Sequence, residues 1–146
     1  MTIRQIKPEE TYALRHAVLW PDKPFDYVML EDDADGCHFG AFRDADLVAV
    51  ISLFEESGVA RFRKFATRPD CQRQGVGTHL LNRIIEEART LGAHTLWCDA
   101  RLSAADFYRR FGMKPEGAVF HKGPIPYSKF VLKLNVSPPT VRRSDP

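Results

Sequence analysis

The middle of the chain places one amphipathic helical segment between two apolar strand segments, and this order limits the folds available to it. Over Thr78–Leu91 apolar residues recur with helical spacing on one face, and Gly92 ends the pattern. These residues are Leu80, Leu81, Ile84, Ile85, Ala88 and Leu91. Val59–Thr67 before the helix and Thr95–Ala100 after it are predicted strands. Strand, helix and strand in this order predict parallel pairing through a right-handed crossover.

The segments on either side of this unit are mostly predicted strands. A helix is predicted to begin at Pro8 and to be ended by Pro21, and a short helix is predicted to run to Phe111 with Ser103 as its cap. The other predicted strands are Thr2–Ile6, His38–Arg43, Leu47–Phe54, Gly117–His121 and Tyr127–Leu134. The order β, α, three β, α, β, α, β, β predicts an α+β fold with a mixed sheet and excludes a doubly wound one.

Length and composition favour one domain. The chain has 146 residues, of which 44% are hydrophobic and 27% charged, which is ordinary for a globular protein. We expect a single domain over residues 1–136. The proline-rich and charged residues 137–146, SPPTVRRSDP, are expected to form a flexible tail.

Charge and hydropathy argue against two classes of partner. A net charge of +2 gives no reason to expect a nucleic-acid partner. No apolar run approaches the roughly 18 residues that a membrane helix needs, and the N-terminus lacks the apolar core of a signal peptide. The three cysteines, Cys37, Cys71 and Cys98, are far apart and form no CxxC pair. We therefore expect buried thiols, no metal site and a cytoplasmic location.

Two glycines stand at the start of the central helix, in the stretch Cys71–Thr78, CQRQGVGT. The first N–H groups of a helix lack internal partners and attract an anion, and Gly75 and Gly77 let phosphate oxygens come close. Leu80 stands where a dinucleotide fingerprint would have a third glycine. The flanking basic residues are Arg61, Arg63, Lys64, Arg68 and Arg73, against one acid, Asp70. The pattern predicts a phosphate site, and the alternative is a plain turn beside a solvated basic edge.

Two motifs together resemble those of the GCN5-related N-acetyltransferases (GNAT). Residues 72–77, QRQGVG, resemble the Q/R-x-x-G-x-G/A motif of that family. Asp106–Met113, DFYRRFGM, resembles its later Y-x-x-x-G-F segment, with Tyr108 and Gly112 matching and Met113 replacing the usual Phe. The resemblance covers residues 38–134. Residues 100–113 and 123–127 are also similar to a small bacterial branch with ARLSA…FY…GF and GIPH-like patterns, in which histidine often stands at the position of Tyr127.

The resemblance implies a fold and a co-substrate. The fold would be a mostly antiparallel central sheet flanked by helices, with a splayed parallel strand pair forming the cleft. The co-substrate would be acetyl-CoA, with its pantetheine arm beside the strand 62–67. The residues implied to bind it are Phe65, Ala66 and Thr67, followed by Gln72, Arg73, Gln74, Gly75, Val76, Gly77 and Thr78.

The resemblance also implies direct attack of a primary amine on the thioester in a ternary complex. A backbone N–H near Phe65 or Ala66 would stabilise the developing negative charge on the carbonyl oxygen. Tyr108 would donate a proton to the leaving thiolate. The alternative for Tyr108 is an aromatic residue packed into the core beside Phe107 and Phe111.

The base that receives the amine proton is less well defined by the sequence. Asp99, near the end of its predicted strand, is the first choice. Glu55, His38 and His121 are weaker candidates. For each of the four, the alternative is an ordinary surface or hydrogen-bonded polar residue.

The acceptor amine is left open by the sequence, whether small molecule or peptide. The acidic loop Glu31–Asp35 would attract a cationic acceptor, or it is simply solvated. Only the branch resemblance points to Tyr127 and Lys129 on the acceptor side. Dimers are common in that family, so a homodimer is one of the expected states.

The sequence is compatible with three classes of function. The first is an acetyl-CoA-dependent N-acetyltransferase. The second is a non-catalytic CoA-binding sensor or regulatory module that uses the same glycine motif. The third is an interaction protein with a plain glycine turn. Retention of Tyr108 favours the enzyme over the sensor.

Overall fold

The structure, a computed structural model, describes residues 1–134, so the predicted tail over residues 137–146 lies outside the described residues. The described chain divides into two compact units. The first comprises Met1–Phe54 and Arg61–Glu87, and the second comprises Glu55–Ala60 together with the chain from Ala88 onward.

Seven strands lie within residues 1–134. They are β1 (Thr2–Ile6), β2 (Cys37–Arg43), β3 (Asp46–Glu56), β4 (Val59–Thr67), β5 (Thr95–Arg101), β6 (Lys114–Lys122) and β7 (Ile125–Lys133). The α-helices are α1 (Tyr12–Leu14), α2 (Val76–Thr90) and α3 (Ala105–Arg109). Single 3₁₀ turns occupy Pro8–Thr11, Phe25–Val28, Asp33–Asp35, Pro69–Cys71 and Leu102–Ala104, and a π-helical segment follows α1 at Arg15–Leu19.

In the first unit the strands lie in the order β1, β2, β3, β4. The pairs β1–β2 and β2–β3 are antiparallel. Asp44, with φ of 56°, forms part of the tight turn that closes the β2–β3 hairpin. The apolar residues Ile6, Val50 and Ala66 form a buried cluster, against which Leu14, Val18 and Leu19 pack. The first helical segment therefore packs on a cluster formed by residues of β1, β3 and β4.

In the second unit the strand order is β5, β7, β6, and both pairs are antiparallel. Burial alternates strictly along β5, where Leu96, Cys98 and Ala100 are buried and the residues between them are less so. This alternation is the pattern of a strand with one face against a core. The short helix α3 precedes β6 and contributes the buried Tyr108.

The predicted α+β class and the mostly antiparallel strand pairing are confirmed. Thr2–Ile6 and Val59–Thr67 have the predicted bounds, and the other five strands differ by up to three residues at an end. The predicted capping role of Ser103 is wrong, because Ser103 lies inside a 3₁₀ turn and α3 begins only at Ala105, with no side-chain cap. None of the helices in the described part of the chain is long and apolar enough to cross a membrane.

Candidate active site

The glycine motif forms an exposed loop between two buried anchors. Cys71 ends the 3₁₀ turn and is buried, residues 72–75 are exposed, and Val76 is buried as the first residue of α2. Arg73 and Gly75 adopt left-handed backbone angles, with φ of 62° and 83°. Gly75 suits this conformation because glycine has no Cβ. The loop thus turns sharply twice before the helix begins.

The start of α2 presents backbone N–H groups and no acidic side chain. The N–H of His79 donates to the carbonyl of Gly75 at 3.1 Å, so the N–H groups of residues 76–78 precede the first bond of the helix. The first turn contains no acid, and Thr78 is exposed. The helix dipole adds partial positive charge at this end. The arrangement is chemically suited to bind an anion such as phosphate.

The glutamine side chains of the loop point back to the backbone that precedes it. The Nε2 of Gln72 donates to the carbonyl oxygen of Thr67 at 3.1 Å, and the Nε2 of Gln74 donates to that of Asp70 at 3.0 Å. Arg68 contacts both carboxylate oxygens of Asp70, at 2.6 Å and 3.0 Å. These short-range bonds fix the loop to the end of β4.

Strand β4 contains a backbone irregularity that the sequence does not announce. Lys64 has φ of 54°, an uncommon value for a residue other than glycine and one that interrupts the extended conformation. It lies just before Phe65 and Ala66, the residues predicted to meet a thioester carbonyl. Ala66 is buried, and the N–H of Arg68 donates to the carbonyl of Val48 at 2.8 Å where the strand ends. This bond joins the residue after β4 to Val48 of β3.

Tyr108 is buried among aromatic rings in the second unit. Its ring centroid lies 5.9 Å from that of Phe130 and 5.2 Å from that of Phe107. Burial raises the pKa of the Tyr108 phenol well above its ordinary value of about 10, and the nearby Cys98 raises it further. The hydroxyl therefore keeps its proton at any physiological pH. The packing role and the donor role predicted for Tyr108 are both compatible with this position.

The structure does not bring Asp99 together with Tyr108. In the antiparallel register Cys98 pairs with Phe130 and Asp99 pairs with Lys129. Tyr108 packs on the side of Phe130 and Cys98. Because neighbouring residues of a strand point to opposite faces, Asp99 lies on the other face of β5. The sequence did not reveal this separation because it depends on how α3 packs.

Two of the weaker base candidates are bonded within the fold. The His38 ring is buried, with Nδ1 at 2.7 Å from the Ser52 Oγ and Nε2 at 2.8 Å from the carbonyl oxygen of Asp33. The Glu55 carboxylate accepts a hydrogen bond from the N–H of Gly58 at 2.9 Å. His121 is exposed on β6. For His38 and Glu55, the hydrogen-bonded alternative describes the observed state.

The acidic loop is not uniformly solvated. Asp33 is buried and forms two 2.9 Å contacts with the Arg15 guanidinium. Burial alone would raise the pKa of Asp33, but the hydrogen bonds from Arg15 and from the N–H of Leu30 outweigh it and hold that pKa below its ordinary value. Asp32 lies 3.9 Å from the guanidinium of Arg63. The charge of Asp33 is therefore neutralised internally and does not serve to attract an acceptor.

The two residues suggested for the acceptor side are held by their neighbours. The buried Tyr127 ring stacks on Phe120 with centroids 5.9 Å apart, and its hydroxyl accepts a hydrogen bond from the Arg101 Nε at 3.4 Å. The ammonium of Lys129 lies 3.6 Å from the Glu116 carboxylate and 4.7 Å from the centre of the Trp97 ring. These four contacts join the Tyr127 and Lys129 side chains to residues of β5 and β6.

Residues 1–134 contain no cluster of three or more His, Cys, Asp or Glu side chains arranged to hold a metal ion. Cys71 and Cys98 are buried, as predicted, while Cys37 is half-buried, and none of the three forms a disulfide bond. Burial raises the pKa of the Cys37 thiol, and Glu87 raises it further. In the first unit, the candidate binding residues are therefore the backbone amides before α2 and the strand β4.

Comparison with known families and structures agrees with these features. The model described as "Acetyltransferase (GNAT) family" matches residues 3–113. A curated relative from Bacillus subtilis (strain 168), the "Uncharacterized N-acetyltransferase YitI", is 29% identical over 82% of this chain and 87% of its own length.

Solved structures agree in fold. The ribosomal-protein-S18-alanine N-acetyltransferase from Escherichia coli has a TM-score of 0.74 with 20% identity, covering 90% of this chain and 92% of that one. A Bacillus subtilis acetyltransferase in complex with CoA has a TM-score of 0.72 with 20% identity, covering 91% of this chain and 98% of that one. A GNAT family acetyltransferase from Elizabethkingia anophelis with acetyl-CoA bound has a TM-score of 0.72 with 15% identity, covering 91% of this chain and 97% of that one.

Proposed function

The chain belongs to the acetyltransferase (GNAT) family, and on this premise we propose that it is an N-acetyltransferase that moves an acetyl group from acetyl-CoA to a primary amine. The observation that carries the proposal is the exposed, acid-free loop at the start of α2. Two solved structures of similar fold contain CoA or acetyl-CoA, which supports this choice of donor. The acceptor is a small-molecule or peptide amine, and a homodimer remains a prediction.

In this proposal, acetyl-CoA is held mainly by backbone groups. The pyrophosphate of acetyl-CoA lies against the amides of residues 72–78. The side chains of Gln72 and Gln74 are bonded to the backbone of Thr67 and Asp70. The N–H of Gln72 donates to the carbonyl of Pro69 at 3.3 Å, so Gln72 shapes the loop while Gln74 contributes its main-chain N–H group. The pantetheine arm runs beside β4 and its residues Phe65, Ala66 and Thr67. The fit is supported by the left-handed φ of Arg73 and Gly75, because left-handed residues occur in backbone nests that bind anions.

The reaction is a direct transfer. The amine nitrogen attacks the thioester carbonyl carbon, the new C–N bond forms, and the C–S bond breaks with its electron pair remaining on sulfur. A backbone N–H near Phe65 or Ala66 donates a hydrogen bond to the carbonyl oxygen. The left-handed φ of Lys64 supports this role, because the strand departs from regular extended geometry directly before these residues. The amine gives up one proton and the departing thiolate gains one.

Tyr108 is the donor to sulfur in this proposal. Its raised pKa keeps the hydroxyl protonated before the reaction. Tyr108 gives this proton to the departing sulfur, and a proton from water then restores the phenol. Asp99 remains the candidate that receives the amine proton. Because it lies on the face of β5 opposite Tyr108, the two groups act on separate protons, and the path to Asp99 runs through water.

We predict that Tyr108→Phe lowers kcat about a hundredfold, which is the smaller end of the range for loss of a proton donor. The affinity for acetyl-CoA should stay within about twofold, since the ring and its packing against Phe130 are kept. Release of free thiol measures the first quantity and calorimetry the second. Full activity across pH would remove Tyr108 from the reaction.

The function is tested with acetyl-CoA and a panel of amines: methylamine, phenethylamine, spermidine, free lysine and a peptide with an N-terminal alanine. Thiol release and mass spectrometry of the product are the readouts. Thr78→Glu probes the loop and Thr78→Gln is its uncharged control. A carboxylate here stabilises the helix but repels a pyrophosphate. We expect Thr78→Glu to weaken acetyl-CoA binding at least tenfold with an unchanged or higher Tm. Equal affinity of the two variants would contradict a phosphate site in this loop.

A non-catalytic CoA-binding module is the second candidate. The observation that favours it is the separation of Asp99 from Tyr108 on opposite faces of β5, which leaves no assembled acid–base pair. Thermal stabilisation by acetyl-CoA with no thiol release for any panel amine would support this module. The absence of any stabilisation would leave the interaction-protein reading.

A further inference from the structure

A buried polar network outside the proposed donor site centres on Arg15. Its Nη1 donates to the carboxylate of Asp33 and to the carbonyl of Val28, each at 2.9 Å. Its Nη2 donates to the second Asp33 oxygen and to the Ser52 hydroxyl, again at 2.9 Å each. His38 contacts Ser52 and the backbone of Asp33, and the Arg15 side chain is fully buried. Three separate parts of the first unit meet in this network.

The network holds a stretch of chain that has few long-range bonds of its own. We call residues 20–35 the arm. The backbone hydrogen bonds inside it are local, such as those from the N–H of Tyr27 to Pro24 and from the N–H of Met29 to Asp26. Arg15 attaches it to the sheet by bonding to Val28 and Asp33 in the arm and to Ser52 on β3. His38 on β2 adds a contact to the Asp33 carbonyl. The Arg15 guanidinium therefore holds the arm at two positions, Val28 and Asp33.

Stability alone is a poor explanation for this ion pair. Desolvation of two buried charges often cancels their attraction, and apolar replacements of similar volume are commonly neutral or stabilising. Arg15 also begins the π-helical segment Arg15–Leu19, a conformation that is rare and frequently found at functional sites. Both features are better explained by a requirement for fixed geometry.

The helix before the arm packs on a cluster that includes a β4 residue, and one carboxylate of the arm approaches β4. Leu14, Val18 and Leu19 pack on the cluster that contains Ala66. From within the arm, the Asp32 carboxylate lies 3.9 Å from the guanidinium of Arg63, at the position preceding the distorted Lys64. The arm also exposes large apolar side chains, including Phe25, Tyr27 and Met29.

We propose that Arg15 and Asp33 are positioning residues that fix the arm beside β4 and thereby set the affinity for the acceptor amine, which makes the arm the acceptor-binding element. This inference rests on the proposed acetyltransferase function. Arg15 and Asp33 act through the arm, because both side chains are buried and cannot touch a substrate. Their loss should raise KM for the amine and leave donor binding intact.

The test uses the full chain with the double substitution Arg15→Met and Asp33→Leu, which keeps apolar volume and removes the directional bonds. Asp106→Asn is the control, since it breaks an exposed Arg–Asp contact of 3.7 Å with Arg109. Hydrogen–deuterium exchange of the arm is measured without ligand. Steady-state kinetics use the panel amine with the highest wild-type kcat/KM, and acetyl-CoA affinity is measured by calorimetry. Ser52→Ala, which removes the bonds of that hydroxyl to Arg15 and His38 but keeps the Arg15–Asp33 pair, serves as a milder variant.

The expected result is faster exchange in residues 25–33, a KM for the amine raised at least tenfold, and kcat and acetyl-CoA affinity within twofold of wild type. Ser52→Ala should shift the same KM by a smaller factor, and Asp106→Asn should shift nothing. Unchanged exchange, or faster exchange with an unchanged KM, would overturn the inference, as would parallel losses of kcat and donor affinity. A wild-type chain that acetylates no panel amine would instead defeat the proposed function itself, and the inference with it.

Discussion

Two arginine–aspartate pairs in the first unit are both bidentate, but one is buried and the other is exposed to solvent. Arg15 meets Asp33 with both contacts at 2.9 Å, and both side chains are buried. Arg68 meets Asp70 at 2.6 Å and 3.0 Å, where both side chains are exposed. The shorter contact thus occurs in the pair that water and salt screen most.

The separation along the chain adds to this difference. The buried pair joins residues 18 apart in sequence, whereas the exposed pair joins residues two apart. Closing the long connection fixes the arm against the sheet, and closing the short one only shapes the turn before the glycine loop. Distance between charged atoms is therefore a poor guide to importance, and burial with chain separation is a better one.

Breaking the buried pair on one side should have the largest effect. We predict that Arg15→Ala lowers the free energy of unfolding by about 3–5 kcal/mol, because it leaves the Asp33 carboxylate buried without its counter-charge. Urea denaturation followed by circular dichroism measures this loss. A loss below about 1 kcal/mol would place this pair in the class of exposed pairs and remove the contrast.

Lowering the pH should reduce stability through the buried pair, by less than the Arg15→Ala substitution does. The pKa of Asp33 is lower in the folded chain than in the unfolded chain, so its contribution to stability is present above the ordinary value of about 3.9 and is lost as pH falls through the folded value. We predict that the Tm of the wild-type chain falls further between pH 5 and pH 2 than the Tm of the chain with Arg15→Met and Asp33→Leu. Parallel curves for the two chains would show that Asp33 carries no such linkage.

Removing the exposed pair should have the smallest effect. We predict that Asp70→Asn leaves Tm unchanged within error, because Arg68 and Asp70 are solvated in the folded chain. The acetyl-CoA affinity should also stay within about twofold, since Gln74 bonds to the backbone carbonyl of Asp70 and not to its carboxylate. Scanning calorimetry at low and high salt checks the first point. A drop in Tm that high salt abolishes would mean that this pair matters more than its exposure implies.

The sequence predicted those parts of the molecule that depend on local pattern. Helix α2 and strands β1 and β4 follow from apolar spacing, and the loop before α2 follows from Gly75 and its basic flank. The class of fold also follows, because element order restricts it. The prediction that Ser103 caps the short helix is wrong, because Ser103 lies inside a 3₁₀ turn that precedes α3.

The parts that the sequence did not predict depend on contacts between distant residues. Nothing in an arginine at position 15 indicates that it will be fully buried with Asp33. Lys64 carries no preference for its left-handed φ, which tertiary packing imposes. The placement of Asp99 on the face opposite Tyr108 depends on strand register and on the packing of α3.

The hydrogen bonds from Gln72 and Gln74 to main-chain carbonyls have a consequence for affinity. A loop that is already ordered by its own side chains loses little conformational freedom when a ligand arrives, so the entropy of ordering is lost during folding and not during binding. Under the proposed function, acetyl-CoA would meet a preorganised loop. Substitutions that loosen either glutamine should then weaken binding through entropy, even though neither side chain touches the ligand.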